Sequence, residues 1–184
     1  MRLAEIANKL AAHEAMEADA LHNVLRGPAV KVLFSAQPGR GRTSAAEYAA
    51  EELARARLLL AARDCGLTGP ELATFNNALN EPPKAGILTP PSAKVDGGTF
   101  YENGLRTLIR GTRAGENWDV RVRFTLTQDG KRRISPWVRW EKWEESRRAS
   151  AAVDLLYSEI PRGMVIIPAS DLIRPLLDLI PEED

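Results

Sequence analysis

Cysteine occurs once and histidine twice in this 184-residue chain, its 25 Lys and Arg balance 25 Asp and Glu, and each shortage removes a class of function. Cys65 alone can close no internal disulfide, and its neighbours Asp64 and Gly66 supply no cation to activate a thiol, so it reads as a small hydrophobe at a helix end. His13 and His22 do not make a metal site: "HEAME" puts Glu17, not a second histidine, four residues after His13, and two ligands are too few. No serine sits in a nucleophile-elbow sequence. No catalytic group, metal or cofactor is therefore singled out, and a non-catalytic role is expected ahead of small-molecule or metal-dependent catalysis, which stays open as a third reading. Long apolar runs are missing too, since none approaches the roughly 20 residues of a membrane span. The start, "MRLAEIANKLAAHEAMEADALHNVL", alternates charge with Leu and Ala where a signal peptide carries an apolar block, so no membrane partner and a cytoplasmic location are expected.

What is present suits a soluble globular chain, with 44% apolar and 27% charged residues. The neutral total hides an uneven distribution. Residues 1–83 carry nine Lys/Arg and ten Asp/Glu, residues 84–148 carry fourteen and eight, and residues 149–184 carry two and seven. One basic face is compatible with this pattern, with the acidic tail folded over it.

The apolar spacing predicts an α+β protein. Leu3, Ile6, Leu10 and then Leu21, Val24, Leu25 lie at helical intervals until Gly27-Pro28, and "VKVLF" (30–34) has the composition of a short strand. Ser44 and Glu47 have capping-box spacing and open a helix that stops at Gly66; Thr68 and Glu71 repeat the spacing ahead of Leu72, Phe75 and Leu79. Residues 1–80 thus form a helical region. Residues 81–98, with two Pro-Pro pairs and a Gly-Gly, read as a linker or surface strap. Residues 99–184 form an α+β region: a helix capped by Thr99 and Glu102, a hairpin over 118–143, a helix through Ala149, Val153 and Leu156 ended at Pro161, a buried strand "MVII", and a C-terminal helix broken by Pro175.

Within "LAARDCGLTGPELATFNNAL" (60–79), Ala62 would sit where two helices cross, Gly66 in the turn, and Leu72 and Phe75 would lock the second helix down. Over these 20 residues the chain resembles helix-turn-helix DNA-binding motifs. The resemblance implies a reading helix offering Thr74, Asn76 and Asn77 to base edges, although that helix has no Lys or Arg for phosphate. A plain helical hairpin produces the same string. "PGRGRTS" (38–44) offers Arg40 and Arg42 as phosphate contacts but lacks the lysine and spacing of a nucleotide loop. Asp119 with Asp129-Gly130-Lys131 imitates a nuclease metal site, yet Asp-Gly is also what a tight turn demands.

In "WDVRVRFTLTQDGKRRISPWVRWEKW" (118–143), a two-residue turn at Asp129-Gly130 would mix the faces of the two strands. An odd loop centred on Gly130 pairs Leu126 with Ile134, Phe124 with Pro136, Val122 with Val138 and Val120 with Trp140, all on one face. The other face then sets Arg123 against Trp137, Thr127 against Arg133 and Arg121 against Arg139, a like-charge pair that Asp119, Glu141 or a bound anion would have to relieve. Basic residues interleaved with aromatics are what a nucleic-acid surface uses.

The expectation is a non-catalytic nucleic-acid-binding protein, DNA before RNA, in an arrangement approaching a winged helix if hairpin and helical pair pack together. Its contacts would be Arg121, Arg123, Lys131, Arg132, Arg133, Trp137 and Arg139, with Thr74, Asn76 and Asn77 on the reading helix. The alternative is a protein-interaction module or homodimer that docks through residues 170–181, with Leu172, Leu176 and Ile180 filling a groove.

Overall fold

The N-terminal apolar spacing folds into three short helices, α1 (Leu3–Ala11), α2 (Ala18–Arg26) and α3 (Pro28–Lys31), in the computed structural model, which describes residues 1–37, 46–83, 89–95, 98–99, 101–142 and 160–182. Leu3, Ile6, Leu10, Leu21 and Leu25 are buried as the spacing requires. The strand expected at 30–34 does not form. Pro28 starts a helical turn there, and Val30, Leu33 and Phe34 reach the core at helical intervals. Extended backbone is confined to β1 (Ala36–Gln37), which pairs with β2 (Glu47–Tyr48).

That pairing also overturns the Ser44–Glu47 capping box, of which Ser44 lies outside the described residues and Glu47 belongs to a strand. Tyr48 is held in extended form by the Met1 backbone and meets Phe34 edge to face at 5.8 Å. Helix α4 (Glu52–Asp64) therefore starts only at Glu52. It is buried over most of its circumference, with Leu53, Ala54, Ala56, Leu58, Leu59 and Ala62 enclosed together with the charged pair Glu52 and Arg55. Gly66 ends it with φ +85, the left-handed conformation that favours glycine.

Helix α5 (Gly69–Asn80) opens on the predicted capping box: the Thr68 amide donates to Glu71 Oε2 at 2.9 Å. Between the helical half and the hairpin, the described part of the strap is anchored. Ala93 is buried, and the Ser92 amide and hydroxyl donate to the buried Glu116 carboxylate at 2.7 and 2.6 Å. Lys94–Val95 (β3) and Gly98–Thr99 (β4) make a small ladder. Because Thr99 is a strand residue, it cannot cap α6 (Gly104–Arg113); Asn103 does so, accepting from the Arg106 amide at 2.9 Å. Gly104 is needed for close approach, since a Cβ there would stand 2.6 Å from the Ala78 carbonyl and 2.9 Å from Val138.

The C-terminal half is a three-stranded antiparallel sheet in the order β6-β5-β7, formed by β5 (Trp118–Leu126), β6 (Arg132–Trp140) and β7 (Ile160–Ile167). Ile160 and Pro161, expected at a helix end, belong to β7; residues 149–159 of that expected helix lie outside the described residues, as do Arg40, Arg42 and Trp143. β7 is not a buried strand: Ile167 is enclosed, whereas Met164 and Ile166 are 46% and 49% exposed. Helix α7 (Ala169–Ile173) passes into a 3-10 segment over Arg174–Leu179 at Pro175, which has no amide to continue an α-helix.

One apolar cluster runs from Leu3 through α4 to the sheet and on to Ile180. Leu176 and Ile180 lie inside it and Leu172 packs partly against it. These three side chains, expected to fill a partner's groove, face the chain's own core. The fold is α+β: N-terminal helices, then an antiparallel sheet with flanking helices. No helix among the described residues is long and apolar enough to cross a membrane.

Candidate nucleic-acid interface

Strand register decides what the hairpin presents, and each residue of β5 meets a β6 partner two positions earlier than expected. Gly130, at φ +76, is the last residue of a three-residue loop over 128–130, closed by the Thr127 amide donating to the Lys131 carbonyl at 3.0 Å. Three-residue hairpin loops place their left-handed residue last, so the register centres on Asp129 and not on Gly130. Because the displacement is even in the pairing, the faces survive: Trp118, Val120, Val122, Ile134, Val138 and Trp140 are buried against the helices. The partners change.

Arg121 now faces Trp137, Arg123 faces Ser135, and Arg139 faces Asp119. The expected Arg121–Arg139 cross-strand pair does not form, because the register sets the Asp119 carboxylate opposite Arg139. Arg121 is buried and its Nε donates to Asp119 Oδ1 at 3.1 Å, with Nη2 reaching Oδ2 at 3.2 Å. Arg139 is buried as well, at 6% exposure. Neither is a surface contact. Arg123 and Trp137 are half-buried and stack diagonally, the guanidinium 5.6 Å from the ring centroid.

The reading helix is altered in the same way. Asn76 is buried, accepting from Arg55 Nη1 at 2.6 Å and donating to the Leu33 carbonyl at 3.2 Å, so it faces the interior and not a base edge. Arg55 also ion-pairs with the fully enclosed Glu52 at 2.9 Å. Burial pushes the Glu52 carboxyl above its ordinary range despite that guanidinium. Thr74 and Asn77 are exposed, though the Thr74 hydroxyl donates back to the Pro70 carbonyl at 3.1 Å.

The exposed cations gather instead at the tip end of the sheet. Arg132 leaves β6 on the helical side, pairs with Glu71 at 2.7 Å, reaches the Gly66 carbonyl at 3.3 Å and lies 4.5 Å over Phe124. It joins the hairpin to the turn between α4 and α5. Lys131 is exposed and pairs with Asp129 at 2.7 Å; that contact, with a Thr127 hydrogen bond, holds the Asp129 carboxyl below its ordinary range. Arg133 is exposed on the outer face. Arg162 joins them from β7. The β5–β7 register shifts between Phe124 and Thr125, leaving Arg162 as an exposed bulge residue between Pro161 and Gly163.

Arg132 and Arg162 line a cleft of about 420 Å³ with Phe124, Leu126, Gly66 and an exposed Cys65. Arg162 was missed by sequence reasoning, and its signal is slight: a lone cation between proline and glycine in the acidic segment. Asp119 and Asp129, the imitation nuclease pair, belong to the start of β5 and to the loop beyond its end, each tied to its own cation. Among the described residues no group of three His, Cys, Asp or Glu is placed to hold a metal ion. Compared with protein-family models, curated proteins and solved structures, the chain finds no match.

Proposed function

We propose that the protein binds nucleic acid without catalysing a reaction on it, and that the tip end of the hairpin is the contact surface. One observation carries the reading: Arg132 and Arg162 line one cleft beside Phe124, with exposed Lys131 next to it at the hairpin end and exposed Arg133 on the opposite face of β6. Guanidinium groups attract phosphate, and the Arg132 guanidinium lying on Phe124 is itself a planar group on which a base can stack. Thr74 and Asn77 lie one and two turns along α5 from Glu71, the partner of Arg132, which favours DNA over RNA as far as base reading is concerned.

Arg121, Arg139 and Asn76 drop out of the contact set; Arg123 and Trp137 remain at its margin. The test is fluorescence anisotropy with duplex DNA, single-stranded DNA and an RNA hairpin across a salt series. Affinity should fall steeply with salt, and Arg162→Glu with Arg133→Glu should weaken binding at low salt by about tenfold or more while shallowing the salt slope. Absence of binding to all three probes at low salt overturns the reading. It would leave the interaction-module reading, for which residues 170–181 offer little surface because Leu176 and Ile180 are core residues; the exposed Met164 and Ile166 on β7 are the apolar side chains it would use instead.

A further inference from the structure

Away from the hairpin, α6 turns three arginines to one side at helical spacing: Arg106, Arg110 and Arg113. All three line a cleft of about 470 Å³, a volume within the range of small-molecule sites. Its other walls are the Ala49–Glu51 segment and Ile180–Glu182, so apolar surface from Ala49, Ala50 and Pro181, with the exposed edges of the largely buried Ile109 and Ile180, lies beside the guanidinium groups.

Each guanidinium already holds a carboxylate. Arg106 pairs with Glu51 at 3.0 Å, Glu102 is shared by Arg106 at 3.9 Å and Arg110 at 3.3 Å, and Arg113 pairs with Glu182 at 3.3 Å. The carboxylates are not held equally. Glu51 and Glu102 side chains are 20% and 27% exposed, whereas Glu182 is 76% exposed and has no second cation among the described contacts. Arg113, moreover, is fixed without Glu182, because its Nη2 donates to the Ile180 carbonyl at 2.6 Å. Losing Glu182 would leave the arginine in place with its Nε face open.

We propose that this cleft binds a small organic monocarboxylate with an apolar body, which replaces Glu182 on Arg113. An incoming monocarboxylate exchanges one negative charge for another on Arg113, so the charge balance of the cleft is the same with Glu182 or with the ligand in place. The incoming carboxylate repeats the chemistry of the group it displaces, a planar acceptor against a guanidinium fork. The apolar body lies over Ala49, Pro181 and the exposed edges of Ile109 and Ile180. Glu182 acts as an internal competitor that occupies the anion position when the cleft holds nothing else.

Isothermal titration and thermal-shift measurements on the full chain test this with hexanoate and benzoate, against acetate, hexylamine and inorganic phosphate. Hexanoate or benzoate should bind saturably and raise the melting temperature, acetate should bind more weakly, and hexylamine should not bind. Arg113→Met should weaken hexanoate binding by about tenfold or more, as expected for removing one charged hydrogen-bond partner. Glu182→Gln, at an exposed position that leaves folding intact, should tighten it several-fold. Failure of both carboxylates to bind, equal binding of phosphate, or a Glu182→Gln variant that binds no more tightly overturns the proposal. Nucleic-acid binding depends on other residues, so the two outcomes are separable.

Discussion

Two sets of arginines in this chain have the same side chain and opposite employment. Arg55 and Arg121 are buried against carboxylates, the enclosed Glu52 and the half-buried Asp119, and Arg139 is buried opposite Asp119; Arg132, Arg133 and Arg162 stand exposed at the tip end of the sheet. The contrast teaches that a basic, aromatic-rich stretch is not one surface. On alternate residues of two paired strands, a shift in register turns a cation from a binding group into a structural one, because the carboxylate it meets changes.

The largest test of the contrast is Arg55→Ala. Removing that guanidinium leaves the Glu52 carboxyl without its partner in the interior and Asn76 short of a donor, and breaking a buried pair in this way costs about 3–5 kcal/mol. Urea denaturation should show the loss as a lower midpoint at unchanged slope. The same network makes a pH prediction. The folded state holds the Glu52 proton more tightly than the unfolded chain does, so this group's contribution to stability is full below its ordinary value of about 4.5 and is lost as pH rises through the elevated folded value. Stability of the natural protein relative to Glu52→Gln should therefore fall as pH is raised across that window, and a flat or rising difference would contradict it.

Asp119→Ala comes next, at about 1–3 kcal/mol, because Arg121 loses its carboxylate at a position that water scarcely reaches. The smallest stability change belongs to the exposed set. Arg162→Ala should stay within about 0.5 kcal/mol, as surface substitutions do, while weakening the proposed nucleic-acid contact. If Arg162→Ala proves as destabilising as Asp119→Ala, the distinction between the two sets fails.

The acidic tail needs the same separation of roles. Glu182 does meet a cation of the middle segment, Arg113, but Ile173, Leu176 and Ile180 from the same tail are core residues. Cutting the chain near residue 168 would remove part of the core along with the charge, so a point substitution such as Glu182→Gln is the informative change.

Much of the fold was legible because its signals are local. The α5 capping box, the Gly66 stop, the apolar stripe of Leu72, Phe75 and Leu79, and the inward face of the hairpin all follow from spacing within a few residues. Helix starts were misplaced wherever a distant partner claimed the cap residues. Glu47 is held by the β1–β2 ladder and Thr99 by β3–β4, and neither ladder is visible from capping-box spacing. The candidate site was legible only in part. Lys131, Arg132 and Arg133 could be placed at the tip, but Arg162 reaches the cleft through a bulge in a strand far along the chain.

By itself the sequence determined the parity of the hairpin, since alternation at period two settles which residues of β5 and β6 turn inward. It also determined that the middle of the chain is basic. Only the tertiary structure decided which arginine meets which carboxylate. Parity is conserved when an antiparallel register moves by an even step, so the apolar pattern cannot choose between centring on Gly130 and on Asp129. The choice falls to the Thr127–Lys131 closure, the left-handed Gly130 and the Arg132–Glu71 link to α5.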